Sequence, residues 1–278
     1  MTTVRVPHPR DWRLPAAAED RRAGRPTTAD AFGKAVADCW QSGAVPGRTF
    51  EVMEMDDGDV RVGDVASFYF PDPAEVPELE RQVCVRATGR VLDAACRAGS
   101  RAVWPADQEK VRSVTGIEFS PGAVELARTR GVDAHLGSVH ELPDGIGPFD
   151  TFVLAGEGQG VIGNAELAPG ALRNLAALAA PGATLLYQGL DPYQAFGGFL
   201  GARTGRNRAA GRLPGTLRIR SRYQQLSTPW FDYLYCSADE FTALAEGTGW
   251  LRRGVETDGT LYLVTLQLAA RTRDRSGG

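Results

Sequence analysis

The sequence predicts an α/β protein organised around a mostly parallel β-sheet, and three observations carry that prediction. Short apolar runs alternate with helical patterns from Gly89 to about Gln188, which calls for right-handed strand–helix–strand crossovers and hence parallel strands. The first two of these runs each end in an acid, Asp93 and Glu118. The last part of the chain, about Trp250 to Glu256 and Leu261 to Leu268 around Asp258-Gly259, reads as two strands joined by a turn.

The elements follow in order. Residues 1 to about 26 are rich in Pro, Arg and Ala without periodicity and are expected to form an arm. Thr27 to Trp40 reads as a capped amphipathic helix, with Ala31, Phe32, Ala35, Val36, Cys39 and Trp40 on one stripe. Thr49 to Met55 alternates, Asp56-Asp57-Gly58-Asp59 turns, and Val60-Arg-Val62 returns, which is a hairpin signal. A helix near Val76 to Ala87 then delivers the chain to the first parallel strand, Val91-Leu92-Asp93. Small residues follow that strand, and Ser100 to Trp104 reads as a helix start.

Ligands bind at the carboxyl ends of parallel strands, where helix N-termini present unpaired N–H groups. Asp93 narrows the ligand. A dinucleotide pyrophosphate would be repelled by a carboxylate at that turn, whereas a ligand with a cationic end would be favoured. S-adenosylmethionine (SAM) carries an ammonium and a sulfonium and suits Asp93 better than NAD does. Glu118 ends the second strand, Ser113 to Glu118, about 20 residues beyond Gly99, the offset of a ribose-binding carboxylate.

Residues from about 88 to 190 resemble the class I SAM-dependent methyltransferases. The segments that carry the resemblance are Arg90-Val-Leu-Asp93, Gly116-Ile-Glu-Phe-Ser-Pro121, Phe149-Asp-Thr-Phe-Val-Leu154 and Pro181-Gly-Ala-Thr-Leu-Leu-Tyr187, in the family's order. The resemblance implies a Rossmann-like seven-stranded sheet with an antiparallel C-terminal hairpin, and SAM as cofactor. It assigns SAM contacts to Asp93, Ala95, Arg97, Gly99, Glu118 and Phe119, and to Ser138, Val139 and Ala155. The Gly-rich segment Ala155 to Gly160 follows the fourth strand, where the family contacts cofactor and acceptor, so Glu157 and Gln159 are placed there. His140 or Glu157 would serve as general base for a hydroxyl acceptor, with a structural role as the other reading of a lone histidine at 140. Tyr187 joins Gln159 on the acceptor side. In the family a helix before the first strand covers the site, so Phe32 and Trp40 either line the pocket or simply pack in the core, and the approach segment of the family brings Tyr69 towards the cleft.

Two departures from the family's pattern stand out. Its turn carries three glycines, whereas this chain has Ala95, Arg97 and Gly99 at those positions. Ser138 stands where an acid usually receives the adenine amine. Ala95 is harmless if its φ is negative. Arg97 can pair with the SAM carboxylate, oppose the sulfonium, hold an anionic substrate, or point to solvent.

From Pro192 to Tyr235 the chain departs from a bare core and is expected to be an inserted cap. The organisation is thus residues 1–87 as arm, helix and hairpin forming part of a lid, and 88–278 as the catalytic domain with a cap at about 192–235. The cap carries seven arginines, among them Arg203, Arg218, Arg220 and Arg222, and no acid from 192 to 231. Leu217 to Tyr223 reads as a strand with one basic face and Thr228 to Tyr235 as its partner. Two readings stay open: a face for an anionic acceptor, or a solvated or subunit-contact face that would make a homodimer. Trp230 and Tyr233 offer aromatic surface to a planar or apolar acceptor.

Composition bounds the rest. At 278 residues with 43% hydrophobic content and a net charge of −3, the chain can build one large core and has no global attraction to nucleic acid. No run is long enough to span a membrane and no signal-peptide pattern opens the chain, so a cytoplasmic location is expected. Cys39, Cys84, Cys96 and Cys236 lack metal-ligand spacing, so free thiols and no metal are expected. Lys34 and Lys110 are the only lysines among 31 basic residues, a GC-rich signature that fits bacterial secondary metabolism. The expected function is methylation of a small molecule. Two alternatives are a methyltransferase-fold enzyme turned to cyclisation or rearrangement with weak, structural or absent SAM, and a non-catalytic metabolite-binding or partner protein.

Overall fold

The computed structural model describes residues 26–99, 109–195 and 201–270; the predicted N-terminal arm, the helix start at Ser100 to Trp104 and the C-terminal tail lie outside the described residues. The first part of the chain gives β1 (Thr27–Thr28), α1 (Ala31–Gln41), β2 (Phe50–Met55), β3 (Val60–Asp64), α2 (Val65–Tyr69) and α3 (Glu78–Arg86). Next come β4 (Gly89–Asp93), β5 (Val111–Glu118), α4 (Pro121–Thr129), β6 (Asp133–Leu136), β7 (Phe149–Leu154), α5 (Ala168–Ala177) and β8 (Ala179–Leu190). The remainder is α6 (Pro192–Ala195), α7 (Gly201–Ala209), β9 (Thr216–Tyr223), β10 (Leu226–Ser227), β11 (Phe231–Leu234), α8 (Ala238–Ala245), β12 (Trp250–Asp258) and β13 (Leu261–Leu268).

Seven strands form the central sheet in the order β12-β13-β8-β7-β4-β5-β6. Strands β4 to β8 are parallel, β13 runs antiparallel to β8, and β12 antiparallel to β13, as the sequence pattern predicts. Alternate side chains point to opposite faces. Val91, Val153, Leu186 and Leu263 pack with Leu79 and Val83 of α3, while Leu92, Phe152, Leu154, Leu185 and Tyr187 pack with Leu172 of α5 and Phe241 of α8. Both faces are covered, which is why these strands read as continuous apolar runs. From β4 the chain winds outward through β5 and β6, then returns to pair β7 with β4. Strand order reverses there, and the carboxyl ends of β4 and β7 open the crevice where such sheets bind ligands.

The insertion is not a self-contained hairpin. β9 does pair with β11, through Phe231↔Ile219 to Leu234↔Thr216, as predicted. Its other edge pairs with β2 of the N-terminal hairpin, through Val52↔Arg222 to Met55↔Ile219. With β1, β10 and β3 these strands make one second sheet. Segments far apart in sequence thus share a single roof over the crevice.

The cap's arginines bind that roof together. Arg220 lies 2.9 Å from Glu54 and Arg222 3.4 Å from it, Arg218 is 3.5 Å from Asp232, Arg206 is 2.6 Å from Asp57, and Arg203 reaches both Asp57 and Asp59. Most of these acids come from the N-terminal hairpin, so a search for acids within the cap misses the partners. At these five positions the anionic-acceptor reading is replaced by intramolecular pairing.

Candidate functional site

The site begins at the turn after β4. Ala94 N–H donates to Val153 O (2.9 Å), Cys96 N–H to Ile117 O (3.0 Å) and Gly99 N–H to Cys96 O (2.8 Å), which fixes the turn between β7 and β5. Ala95 keeps a negative φ, so its methyl group is tolerated. Gly99 sits at φ +76°, and a Cβ there would stand 2.8 Å from Val132 Cγ2 and 3.3 Å from Ala127 of α4. Its glycine is therefore required for helix packing as well as for backbone shape. Arg97 is at φ +52°, a left-handed conformation in a residue with a full side chain.

Two buried carboxylates flank the turn. Burial pushes Asp93 up to about 6, opposed by the charge of Arg97 and by the N–H of Ala95. Glu118 is 2% exposed and accepts from Arg97 N–H (3.1 Å) and Ser120 N–H (2.9 Å). Burial pushes it up to about 7; the Ser120 N–H lowers it, the Asp30 carboxylate raises it, and Arg97 lowers it.

A clasp brings α1 onto this end of the sheet. Asp30 caps α1 by accepting from Gly33 N–H (2.8 Å), and the same carboxylate accepts from Ser120 Oγ (2.8 Å) and Gly122 N–H (2.8 Å) at the start of α4. One side chain thus satisfies donors of two helix N-termini. A Cβ on Gly122 would stand 3.0 Å from Gly33 Cα, so glycines permit the close crossing.

Below the roof lies a small cavity of about 60 Å³. Ala95, Arg97, Glu118 and Phe119 form its floor, and Phe32 of α1 and Tyr69 of α2 one wall. The roof sheet contributes Met53, Ile219, Ser221, Phe231 and Tyr233. Small-molecule pockets are typically about 300–1,000 Å³, so this cavity is smaller than such a site. Tyr69 donates to the buried Glu51 carboxylate, which also accepts from Ser221 Oγ at 3.1 Å, tying α2 to the roof.

Solved structures with the same arrangement decide the fold. A SAM-dependent methyltransferase from Bacteroides fragilis, in complex with S-adenosyl-L-homocysteine, superposes with a TM-score of 0.69 at 25% identity, covering 86% of this chain and 95% of that one. The CcbJ methyltransferase from Streptomyces caelestis gives 0.53 at 16% identity, over 72% of this chain and 99% of that one. A SAM-dependent methyltransferase from Methanosarcina mazei gives 0.52 at 16% identity, over 66% and 93%. The chain has the class I SAM-dependent methyltransferase fold. No family profile and no curated protein matches the sequence.

Within this methyltransferase fold the sequence-predicted residues divide. Ala95, Arg97, Glu118, Phe119 and Tyr233 meet at the cavity, with Phe32 and Tyr69. Asp93 lies buried beneath them and within reach of the Arg97 charge. Ser138 Oγ accepts from the N–H groups of His140 (3.3 Å) and Glu141 (3.1 Å), capping its own turn, while Val139 and Ala155 pack in the core.

Five placements bear on the sequence reading. Tyr187 is fully buried, stacked on Phe241 at 3.6 Å with its hydroxyl on Gln159 O (3.4 Å), so it is a core residue and not a substrate contact. Gln159 is 2% exposed and its Oε1 accepts from Leu190 N–H at 2.6 Å, which spends it on the backbone. His140 lies off the cavity; its Nε2 bonds Val161 O at 2.9 Å and burial lowers its pKa. Trp230 carries the Arg220 guanidinium 4.6 Å above its ring and does not line the cavity. Trp40 likewise faces outward at 41% exposure, against Arg130. The side chain of Glu157 lies outside the described residues.

Met53, Glu51, Ile219 and Ser221 were not predicted at the site. Their only sequence signal was strand alternation, and which strands pair across 160 residues is not written in either segment. All four cysteines are free and buried, and Cys96 packs against α4 with its thiol raised well above its usual value by burial. Among the described residues no helix is long and apolar enough to cross a membrane, and no cluster of metal-ligating side chains occurs.

Proposed function

We propose that this chain is a SAM-dependent methyltransferase acting on a small molecule. The observation that carries the reading is the pair of buried acids, Asp93 and Glu118, at the adjacent carboxyl ends of β4 and β5 under an aromatic-walled, roofed cavity. These residues fit SAM: Glu118 would hold the ribose hydroxyls, Asp93 the ammonium, and Arg97 has donors to spare for the carboxylate. When bound, SAM supplies an electrophilic methyl group. What the chain contributes is alignment and exclusion of water. The roof sheet closes on the crevice, the Asp30 clasp fixes α1, and Phe32, Phe119, Phe231 and Tyr233 give an apolar or aromatic acceptor a surface to lie on.

An apolar or aromatic acceptor fits better than an anionic one, because the roof's arginines at 203, 206, 218, 220 and 222 are paired with acids. Tyr69 and Glu51 are the ionisable pair beside the cavity, and a hydroxyl acceptor's proton would leave through them. A cytoplasmic role in bacterial secondary metabolism rests on composition alone. Calorimetry with S-adenosylhomocysteine is the test: micromolar heats support the reading, and no heat at millimolar ligand ends it.

A second reading is favoured by one observation, Arg97 in a left-handed conformation where the family's turn keeps glycine. On that reading the fold performs cyclisation or rearrangement. Binding of S-adenosylhomocysteine with no methyl consumption across an acceptor panel would select it.

A further inference from the structure

We propose that β3 is a pairing surface for a second copy of this chain, the two β3 strands running antiparallel about Val62 and joining two roof sheets into one.

The ladder between β2 and β3 leaves one set of backbone groups over. Met55 N–H donates to Asp59 O at 2.8 Å and Val65 N–H to Thr49 O at 2.9 Å, on either side of the pairs Glu51↔Gly63 and Met53↔Arg61. Hydrogen-bonded pairs alternate along an antiparallel ladder. Arg61 and Gly63 therefore bond to β2, and the N–H and C=O groups of Val60, Val62 and Asp64 point away from it. Among the described residues no strand pairs with that side of β3. Side chains at this edge are apolar as well: Phe50, Val60, Val62 and Phe68 are 43–67% exposed. Unpaired strand groups beside exposed apolar side chains are a template for another strand. Val60 to Asp64 has no proline and no lysine, and its pairing with β2 has no bulge, so three common ways of keeping edges apart are missing.

The strand is complementary to itself. About a two-fold axis at Val62, Val62 meets the partner's Val62 and Val60 meets the partner's Asp64, so every outward-pointing residue of β3 enters a hydrogen-bonded pair. Side chains keep their faces in this register. It also sets the partner's Arg61 opposite Gly63. A Cβ on Gly63 would stand 2.9 Å from Phe68 Cε2, so the Phe68 ring covers that glycine and the partner's guanidinium meets its edge of the sheet there as a cation–π contact. Neighbouring registers are worse. A shift of the pairing one way sets Arg61 against the partner's Arg61, and like charges directly opposite destabilise a sheet; a shift the other way sets Val62 against the partner's Asp64. Because β2 carries Met53 at the cavity and Glu51 against Tyr69, pairing at β3 braces the roof of each crevice.

The test combines sedimentation equilibrium of the full chain at micromolar concentration with cross-linking of the variants V62C and V60C by oxidised glutathione. Wild type should sediment as a dimer. V62K takes two valine side chains out of the interface and should weaken association roughly 100-fold or more. In the proposed register the two Val62 Cα atoms stand about 5.5 Å apart, within reach of a disulfide. The two Val60 Cα atoms lie roughly 14 Å apart, beyond it. V62C should therefore become a covalent dimer and V60C should not, against a low background, because the native cysteines are buried. A monomeric wild type overturns the proposal, and slow amide exchange at Val60, Val62 and Asp64 in that monomer would assign the edge to another segment of the same chain. A dimer that V62K leaves unchanged lies on another surface and also overturns it. So do an open-ended assembly, and cross-linking of V60C that equals or exceeds that of V62C. Val62 is 67% exposed, so V62K should keep the fold, which thermal unfolding verifies; where it does not, the cross-linking pair decides.

Discussion

Arg97 and the arginines of the roof are the same residue type in opposite circumstances. Arg203 is as buried as Arg97, at 5% exposure for each, yet it reaches Asp57 and Asp59, while the guanidinium of Arg97 has two donors without an acceptor. The difference separates architecture from ligand binding. A buried cation paired across strands holds segments together; Arg97 instead sits with two buried acids at the ligand end of the sheet. The contrast can be broken from either side.

The largest effect is expected at the paired arginine. Removing Arg203 leaves Asp57 with Arg206 and Asp59 at the surface, so the loss is that of charged hydrogen bonds, about 1.5–3 kcal/mol each. Arg203→Met should therefore lower the melting midpoint by several degrees, since each kcal/mol is worth about 2–4 °C in a chain of this size. Arg97→Met should lower it less, because the Arg97 charge offsets the burial of Asp93 and Glu118 only through space. If thermal unfolding shows equal losses for the two variants, the distinction collapses.

Glu118 comes next. Replacing it by Gln keeps the shape and loses the charged acceptor, so S-adenosylhomocysteine affinity should fall about 10- to 100-fold, as expected for a bond to a charged group. Its pH dependence carries a sign that can be checked independently. Asp93 and Glu118 are raised in the fold to about 6 and about 7 from 3.8 and 4.5, so the folded chain binds these protons more tightly than the unfolded one. Stability without ligand should be fullest below about pH 4 as regards these two groups and should decline as pH rises through 6 and 7, by on the order of 3 kcal/mol for each. Ligand affinity should run the other way, because ammonium and hydroxyl donors need the ionised carboxylates. A flat profile in both measurements would remove the two acids from the site.

How much of this was legible in the sequence follows the same division. The parallel core was readable because each strand carries its own apolar run and each turn its own acid, as in Val91-Leu92-Asp93 and Gly116-Ile-Glu118. The acids at 93 and 118 and the ring of Phe119 were placed on that basis, while Tyr233 was placed from the aromatic residues of the cap. The roof was only half readable. β9 announced itself by alternation, but the partner strand β2 lies in a different part of the chain, and pairing such as Met53↔Ser221 depends on register that only folding sets. Tyr187 and Gln159 were misplaced for a related reason. They sit in or beside strand ends where ligands bind, but the sheet's pleat turns Tyr187 onto Phe241, and Gln159 folds back onto Leu190.

The clasp at Asp30 ties the two regions, and its loss should cost less than the changes above. An N-cap substitution costs about 0.5–2 kcal/mol, and Asp30 caps α1 while also receiving donors from α4. Asp30→Ala should lower stability by that amount and loosen α1, raising hydrogen exchange at Gly33 and Gly122 ahead of the central strands. Uniform acceleration across the sheet would mean that Asp30 supports the whole fold and not the roof.

The smallest effect is expected at His140, which tests where the catalytic machinery ends. Its Nε2 is committed to Val161 O, burial keeps the ring neutral at physiological pH, and the cavity lies elsewhere. His140→Gln retains a donor for that carbonyl, so stability should change by less than about 1 kcal/mol, the net worth of one neutral hydrogen bond. A general base contributes about 10²- to 10⁴-fold. If His140 only ties the loop after β6 to the Gly-rich turn, kcat/KM for whichever acceptor is methylated should stay within about threefold of wild type, far short of that. A loss of a hundredfold or more at unchanged stability would return His140 to the reacting atoms and would require the loop to swing inward when a ligand widens the small cavity. Tyr69→Phe is the matching control, because that hydroxyl lines the cavity beside Glu51. A larger loss there than at His140 is what the geometry requires.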